Sequence, residues 1–138
     1  MLFFGHIAVS VAVADATDSD VGAAIAGNLL PDVADKTGGW VLGVMPSGRW
    51  LAHGIPFFSL SLAVASRVVD GRAWRGFALG YASHLVGDLW GGGRLPLFAP
   101  FDRPLGSESR HDFAWLASNL GPEVAGLAYL VWRRRRRT

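Results

Sequence analysis

Cysteine is absent from the 138 residues, which excludes a disulfide framework and thiolate metal sites alike. Any metal held by this chain must therefore use imidazole or carboxylate ligands. Charge is scarce as well. Asp, Glu, Lys and Arg make up 17% of the residues, against about 25% in an ordinary soluble domain. The shortfall favours a membrane protein or a very buried helical one. Dispersed basic character is missing too. The formal charge is +2, but arginines 133–137 form one terminal run, and without them the rest of the chain carries −3. Nucleic acid is therefore not an expected partner. The N-terminus lacks the basic start and small-residue cleavage site of a secretory signal, so residues 1–6 read as part of the mature fold. The glycines 91–93 lack the preceding strand and the Lys-Ser/Thr of a phosphate loop. No Gly-x-Ser-x-Gly nucleophile elbow occurs.

What is present is a set of five apolar segments, at residues 2–14, 21–30, 50–69, 74–90 and 112–132. An acidic and hydroxyl cluster at 15–20 precedes the second, and Asp18 or Ser19 is expected to cap that helix. Pro31 is expected to end it. Asp70-Gly71-Arg72 reads as a turn between antiparallel helices. Glycines 91–93 with Pro96, Pro100 and Pro104 predict a loop between the fourth and fifth segments. A membrane-spanning helix needs about 20 mostly apolar residues. The third and fifth segments reach that length, the fourth is marginal, and the first two suit re-entrant or interfacial positions. Gly and Ala are abundant in these segments and would let membrane helices approach closely. Trp50, Trp74, Trp90 and Trp132 fall at segment ends, as in an aromatic belt, and the arginine run after Trp132 places the C-terminus on the cytoplasmic side. The expected architecture is all-α, a compact bundle of about five helices with several of them membrane-embedded. Residues 1–132 form a single helical membrane domain and 133–138 a basic cytoplasmic tail.

The chemistry concentrates in few residues. His84 and Asp88 lie four apart in the fourth segment, so a helix brings them to one face. Burying such groups is costly unless they are paired or metal-bound. His6 and His53 sit at the starts of the first and third segments. A lone histidine in an apolar stretch is more often a hydrogen-bonded core residue than a ligand, but carboxylates accompany these. Asp32 and Asp35 follow Pro31 between apolar elements, where ordinary turn chemistry explains one aspartate better than two. His6, Asp32, His53, His84 and Asp88 are the candidate metal ligands, and Asp32 and Asp35 the candidate general bases. This donor mix suits a divalent metal, zinc foremost, with manganese or iron as alternatives.

The order Gly5-His6-Ile7, Leu29-Leu30-Pro31-Asp32, Arg49-x3-His53, Ser83-His84-x3-Asp88 and Leu97-Phe98-Ala99-Pro100-Phe101 resembles the membrane-bound metal-dependent hydrolase family. These are small, helical inner-membrane proteins, distantly like zinc phospholipases and nucleases. The likeness covers residues 5–101. It implies a metal-dependent hydrolase in the inner (cytoplasmic) membrane, multi-pass, next to the lipid bilayer. The chain departs from the family pattern at Gly48, where a histidine is usual, and at Gly54, where a serine is usual. His53 then stands alone in its block, which points to a small or single-metal site.

The function expected from the sequence is hydrolysis of a phosphoester or lipid-derived ester, in a monomer or oligomer. One rival reading is a non-enzymatic membrane protein with a structural His/Asp metal site or polar network. Another is a small transporter or channel that uses the same residues as a relay. Glu123 lies beside Pro122 in an apolar segment, where a free charge is expensive. It is expected to pair with an arginine or to face the site. Arg49, Arg94 and Arg103 are candidates for holding a phosphate. His111 and Asp112 read as a helix N-terminus, where a carboxylate favours the dipole.

Overall fold

A computed structural model describes residues 3–45, 48–90, 94–102 and 113–137. Its elements are α1 (Phe3–Ala16), α2 (Val21–Lys36), a π turn (Thr37–Val41), a 3-10 turn (Leu51–His53), α3 (Ile55–Val68), α4 (Gly71–Trp90) and α5 (Phe113–Arg137). No strand occurs among the described residues. Glycines 91–93, Arg103, Pro104, His111 and Asp112 lie outside them.

The local rules hold in outline and shift in detail. The cap of α2 is Asp20, whose carboxylate accepts from the Ala23 amide at 2.6 Å. Asp18 instead takes a left-handed conformation at φ 49°, which Asp tolerates better than most residues. The Ser19 hydroxyl pairs with Thr17. Pro31 does not end α2, which continues to Lys36. Proline removes one backbone bond, but tertiary contacts hold the next turn. Asp35 is buried under three hydrogen bonds, and Asp32 pairs with Lys36 at 2.6 Å across one turn. Asp32 and Asp35 are thus helical residues, not loop residues.

The third apolar segment is broken. Its first residues form the 3-10 turn, and α3 has 14 residues from Ile55, about 21 Å at 1.5 Å per residue. Pro56 sits in its first turn, where its missing N–H costs nothing. Asp70 accepts from the Arg72 and Ala73 amides and so starts α4. The fifth segment continues as helix through the arginines to Arg137. The expectation that segments three and five each form a spanning helix is not met. No described helix is long and apolar enough to cross a membrane. In α3 the reason is length. In α5 it is the polar interruption at Asn119, Pro122 and Glu123, which lowers the mean hydropathy of the stretch before the arginines.

Small residues set the packing. In α4, a Cβ on Gly80 would lie 1.9 Å from the Ala24 carbonyl oxygen, and one on Gly76 2.3 Å from that of Asp20. The α2 and α4 backbones therefore touch, and only glycine allows it. Asp20 opposes Gly76, Ala24 opposes Gly80, and Asn28 donates to the Gly80 carbonyl and to Ser83, so α2 and α4 run parallel. The α4 helix runs antiparallel to α3, as the Trp74 indole bond to the Leu62 carbonyl and the Phe58–Tyr81 ring contact show. The α1 and α5 helices lie side by side and parallel. Glu123 accepts from the Phe4 and Gly5 amides at 2.8 and 2.9 Å. Asp15 takes Arg133 bidentately and Tyr129. Among the described residues Glu123 thus meets the α1 amides and not an arginine or the site. It satisfies free donors at the positive end of α1.

The buried apolar residues are mostly small, Ala8, Ala14, Ala24, Ala52 and Ala65 among them, while bulky ones such as Trp40, Val44, Leu60 and Val124 are exposed. This inversion suits an apolar surrounding, in which close backbone approach and polar contacts hold helices together. Of the four tryptophans expected at segment ends, Trp90 is exposed at the end of α4 and Trp132 is exposed on α5, whereas Trp74 is half-buried against α3 and Trp50 is buried beside Asp35.

Candidate metal centre

One end of the bundle gathers the start of α1, the C-terminal turns of α2 and α4, and the 3-10 turn before α3. Each brings one or two polar side chains inward. His6 comes from α1, Asp32 and Asp35 from α2, His53 from the turn, and His84 and Asp88 from α4. His6, Asp35, His53, His84 and Asp88 are buried, and the Asp32 side chain is 29% exposed.

Asp35 builds the turn that carries His53. Its Oδ2 accepts from the Trp50 amide at 2.5 Å and from His53 Nδ1 at 2.7 Å, and its Oδ1 accepts from the Ala52 amide at 2.9 Å. Tyr81, fully buried on α4, donates its hydroxyl to the Ala52 carbonyl from the other side. With Nδ1–H committed to Asp35, a neutral His53 ring turns the lone pair of Nε2 toward the cluster.

The atoms facing that lone pair are two carboxylate oxygens and a second imidazole nitrogen. His53 Nε2 lies 3.7 Å from Asp32 Oδ1, 3.5 Å from Asp88 Oδ2 and 3.3 Å from His84 Nε2. His84 Nε2 lies 3.9 Å from Asp32 Oδ1 and 3.7 Å from Asp88 Oδ2. The ligand atoms of Asp32, His53 and His84 all fall within 4.8 Å of one another. Donors about 2.0–2.1 Å from a tetrahedral zinc are separated by roughly 3.3–3.4 Å, so these spacings approach the edges of such a polyhedron. Asp88 Oδ2 is buried without a hydrogen-bond partner, which is costly for a carboxylate. Nitrogen and oxygen donors, convergent and partly unsatisfied, fit a divalent cation.

His6 and Arg49 flank the cluster. His6 Nε2 reaches Asp88 Oδ1 at 3.3 Å, and its ring stacks on His84 with centroids 4.5 Å apart. Arg49 NH2 reaches the same Asp88 oxygen at 3.2 Å, with its side chain 44% exposed. Asp88 therefore turns one oxygen to the imidazole pair and the other to His6 and Arg49. Arg94 is exposed.

The electrostatics follow from burial and neighbours. Burial alone would raise the Asp35 carboxyl, but the His53 hydrogen bond and the Ala52 and Trp50 amides outweigh it and hold it below the ordinary range. Burial works the same way against Asp88, and His53, His6 and Arg49 reverse it, so this carboxyl too is lowered. His53 would lose basicity through burial, but Asp35 and Asp88 raise it above the usual value. Burial, then His6, push His84 down to about 4 against the pull of Asp88 and Asp32. A neutral His84 is ready to act as a ligand. His53 must exchange a proton for one.

The structure brings His6, Asp32, Asp35, His53, His84 and Asp88 to one place. Sequence reasoning missed Tyr81, Asn28 and Trp50. Asn28, Asp32 and Asp35 follow helical spacing, but Pro31 read as a stop concealed it. Nothing in the sequence linked Tyr81 to a backbone carbonyl on another element.

A family model described as YdjM inner membrane protein matches residues 1–137. No curated protein and no solved structure matches the chain.

Proposed function

The chain belongs to the YdjM inner membrane protein family, and from that premise we propose that it is a membrane hydrolase that uses a divalent metal, zinc foremost, to cleave a phosphoester or lipid-derived ester. The observation that carries this reading is the convergence of Asp32 Oδ1, His53 Nε2 and His84 Nε2 within 4.8 Å of one another, with Asp88 Oδ2 at 3.5 and 3.7 Å from the two imidazole nitrogens.

These four side chains would hold the ion. A cation there supplies Lewis acidity to an ester or phosphoester oxygen. Asp35 has both oxygens engaged by three donors, so it serves as a positioning residue that fixes the tautomer of His53. Asp32 is the most exposed carboxylate of the cluster, and with Oδ1 toward the imidazoles and Oδ2 on Lys36 it serves here as a ligand rather than as a general base. Arg49, partly exposed and aligned by Asp88, presents a guanidinium to an anionic substrate group.

The test is elemental analysis of purified wild type against His84→Ala and Asp88→Ala, with hydrolysis of a chromogenic phosphodiester before and after chelation. About one equivalent of metal in wild type, little in either variant, and activity lost to chelator are expected. Wild type that retains no metal even after reconstitution would refute the reading. The raised His53 supports a second one, in which an imidazolium among Asp35, Asp88 and Asp32 forms a structural ion-pair network. Metal-free wild type that unfolds on His53→Ala substitution would favour it.

A further inference from the structure

The outer face of α5 carries a feature that the metal cluster does not use. One side of this helix is spoken for by α1, through Glu123 on the Phe4 and Gly5 amides, Gly126 against Ala8, and Arg133 on Asp15. The opposite side is apolar yet exposed. Val124, at 67% exposure, continues with Leu127 and Val131 at helical spacing into one stripe. With Ala128, Trp132 and Arg135 these residues line a shallow depression of about 480 Å³. Arg134, Arg135 and Arg136 are exposed, and the Arg136 guanidinium lies 4.6 Å over the Trp132 ring.

Two chemistries thus follow one another along a single face. The partner that fits must be apolar over about two turns and anionic beyond them. Water suits neither the stripe nor its extent, and a free anion would leave the stripe uncovered. We propose that this face of α5 binds an anionic phospholipid, with an acyl chain along the stripe and the headgroup phosphate against Arg135 and Arg136. Charge complementarity supports this occupant, since the arginine run is cationic in a chain otherwise at −3. Membership in an inner-membrane family places lipid within reach. Trp132 sits where the apolar and charged parts meet, as interfacial tryptophans do. The surface is independent of the cluster chemistry and stands whether or not a metal binds.

The experiment titrates the detergent-solubilised full chain with phosphatidylglycerol or phosphatidylcholine of identical acyl chains and counts bound lipid by native mass spectrometry at low and high salt. Wild type should retain phosphatidylglycerol at least tenfold better, with the preference shrinking as salt rises. Each arginine near an anionic lipid contributes about fivefold, so combined Arg134→Gln, Arg135→Gln and Arg136→Gln should abolish the preference. Combined Arg67→Gln and Arg75→Gln, which removes exposed charge elsewhere, should leave it intact. Val131→Asn should weaken both lipids alike. Equal retention of the two lipids by wild type, a preference that survives the triple substitution, or full displacement by millimolar inorganic phosphate would overturn the proposal.

Discussion

Replacing Asp35 by asparagine probes the cluster most sharply, because the change keeps the shape and removes an acceptor. In the native structure Oδ2 serves the Trp50 amide and His53 Nδ1, and Oδ1 serves the Ala52 amide. An amide side chain offers one oxygen. If that oxygen stays on Ala52, the NH2 faces the Trp50 N–H and His53 Nδ1. The Trp50 donor is then left buried without a partner, which costs about 1–3 kcal/mol. His53 can satisfy the NH2 only by accepting at Nδ1, which moves its proton to Nε2 and removes the lone pair from the cluster. If the oxygen turns the other way, the NH2 meets the Ala52 N–H with the same kind of loss. Both orientations lower stability, and the first also disables a ligand. Substitution of a carboxylate that orients a ligand histidine commonly lowers metal affinity 10–100-fold, or about 1.4–2.7 kcal/mol. The metal-free protein should melt about 5–10 °C lower, from a loss near 2 kcal/mol in a chain of this size. Competition against a chromophoric zinc chelator reads the affinity, and a thermal melt in excess chelator reads the stability. An Asp35→Asn protein that binds zinc within threefold of wild type and melts with it would show that Asp35 neither sets the His53 tautomer nor holds the turn.

Metal affinity should fall with acidity about tenfold per pH unit below the raised His53 value, because the ion must displace that proton. His84, at about 4, adds a second proton only near that pH. A flat affinity between pH 5 and 7 would contradict the ligand role of His53. Gly80→Ala places a methyl 1.9 Å from the Ala24 carbonyl oxygen and should cost at least 1–3 kcal/mol as the α2 and α4 backbones separate. Gly71→Ala meets nothing within 4 Å and should be neutral or slightly stabilising in the same thermal melt. Glu123→Ala strips the α1 amides of their acceptor and should cost about 1 kcal/mol, with looser zinc binding if α5 sets the position of His6. An unchanged melt would remove Glu123 from the anchoring of α1.

Much of the helical content was written in local pattern. The apolar segments, Asp70-Gly71-Arg72 as a turn between antiparallel helices, and the pairing of His84 with Asp88 on one face all depend on periodicity and turn chemistry within a few residues. The errors arose where tertiary contacts outweigh local preference. Pro31 signals a stop, but Asp35 gains three hydrogen bonds by staying on the helix four residues beyond. The third segment looks long enough to span, yet the same Asp35 captures the Trp50 and Ala52 amides and bends its start into a 3-10 turn. Glu123 looked like a member of the site, and the free amides at the start of α1 claimed it instead.

The candidate residues divide along the same line. The sequence by itself determined the donor chemistry: with no cysteine and four histidines, a metal here can meet only imidazole and carboxylate. It also determined that His84 and Asp88 share a face, since that requires only helical spacing. Which oxygens and nitrogens face one another was decided by the fold alone. Gly76 and Gly80 let α2 lie parallel against α4 and so set Asp32 beside His84, while α1 carries His6 to the same end from the opposite direction. Helical spacing fixes geometry across four residues. The distance between side chains on different helices depends on how closely two backbones can pack, and here that closeness rests on glycines whose partners lie more than fifty residues away along the chain.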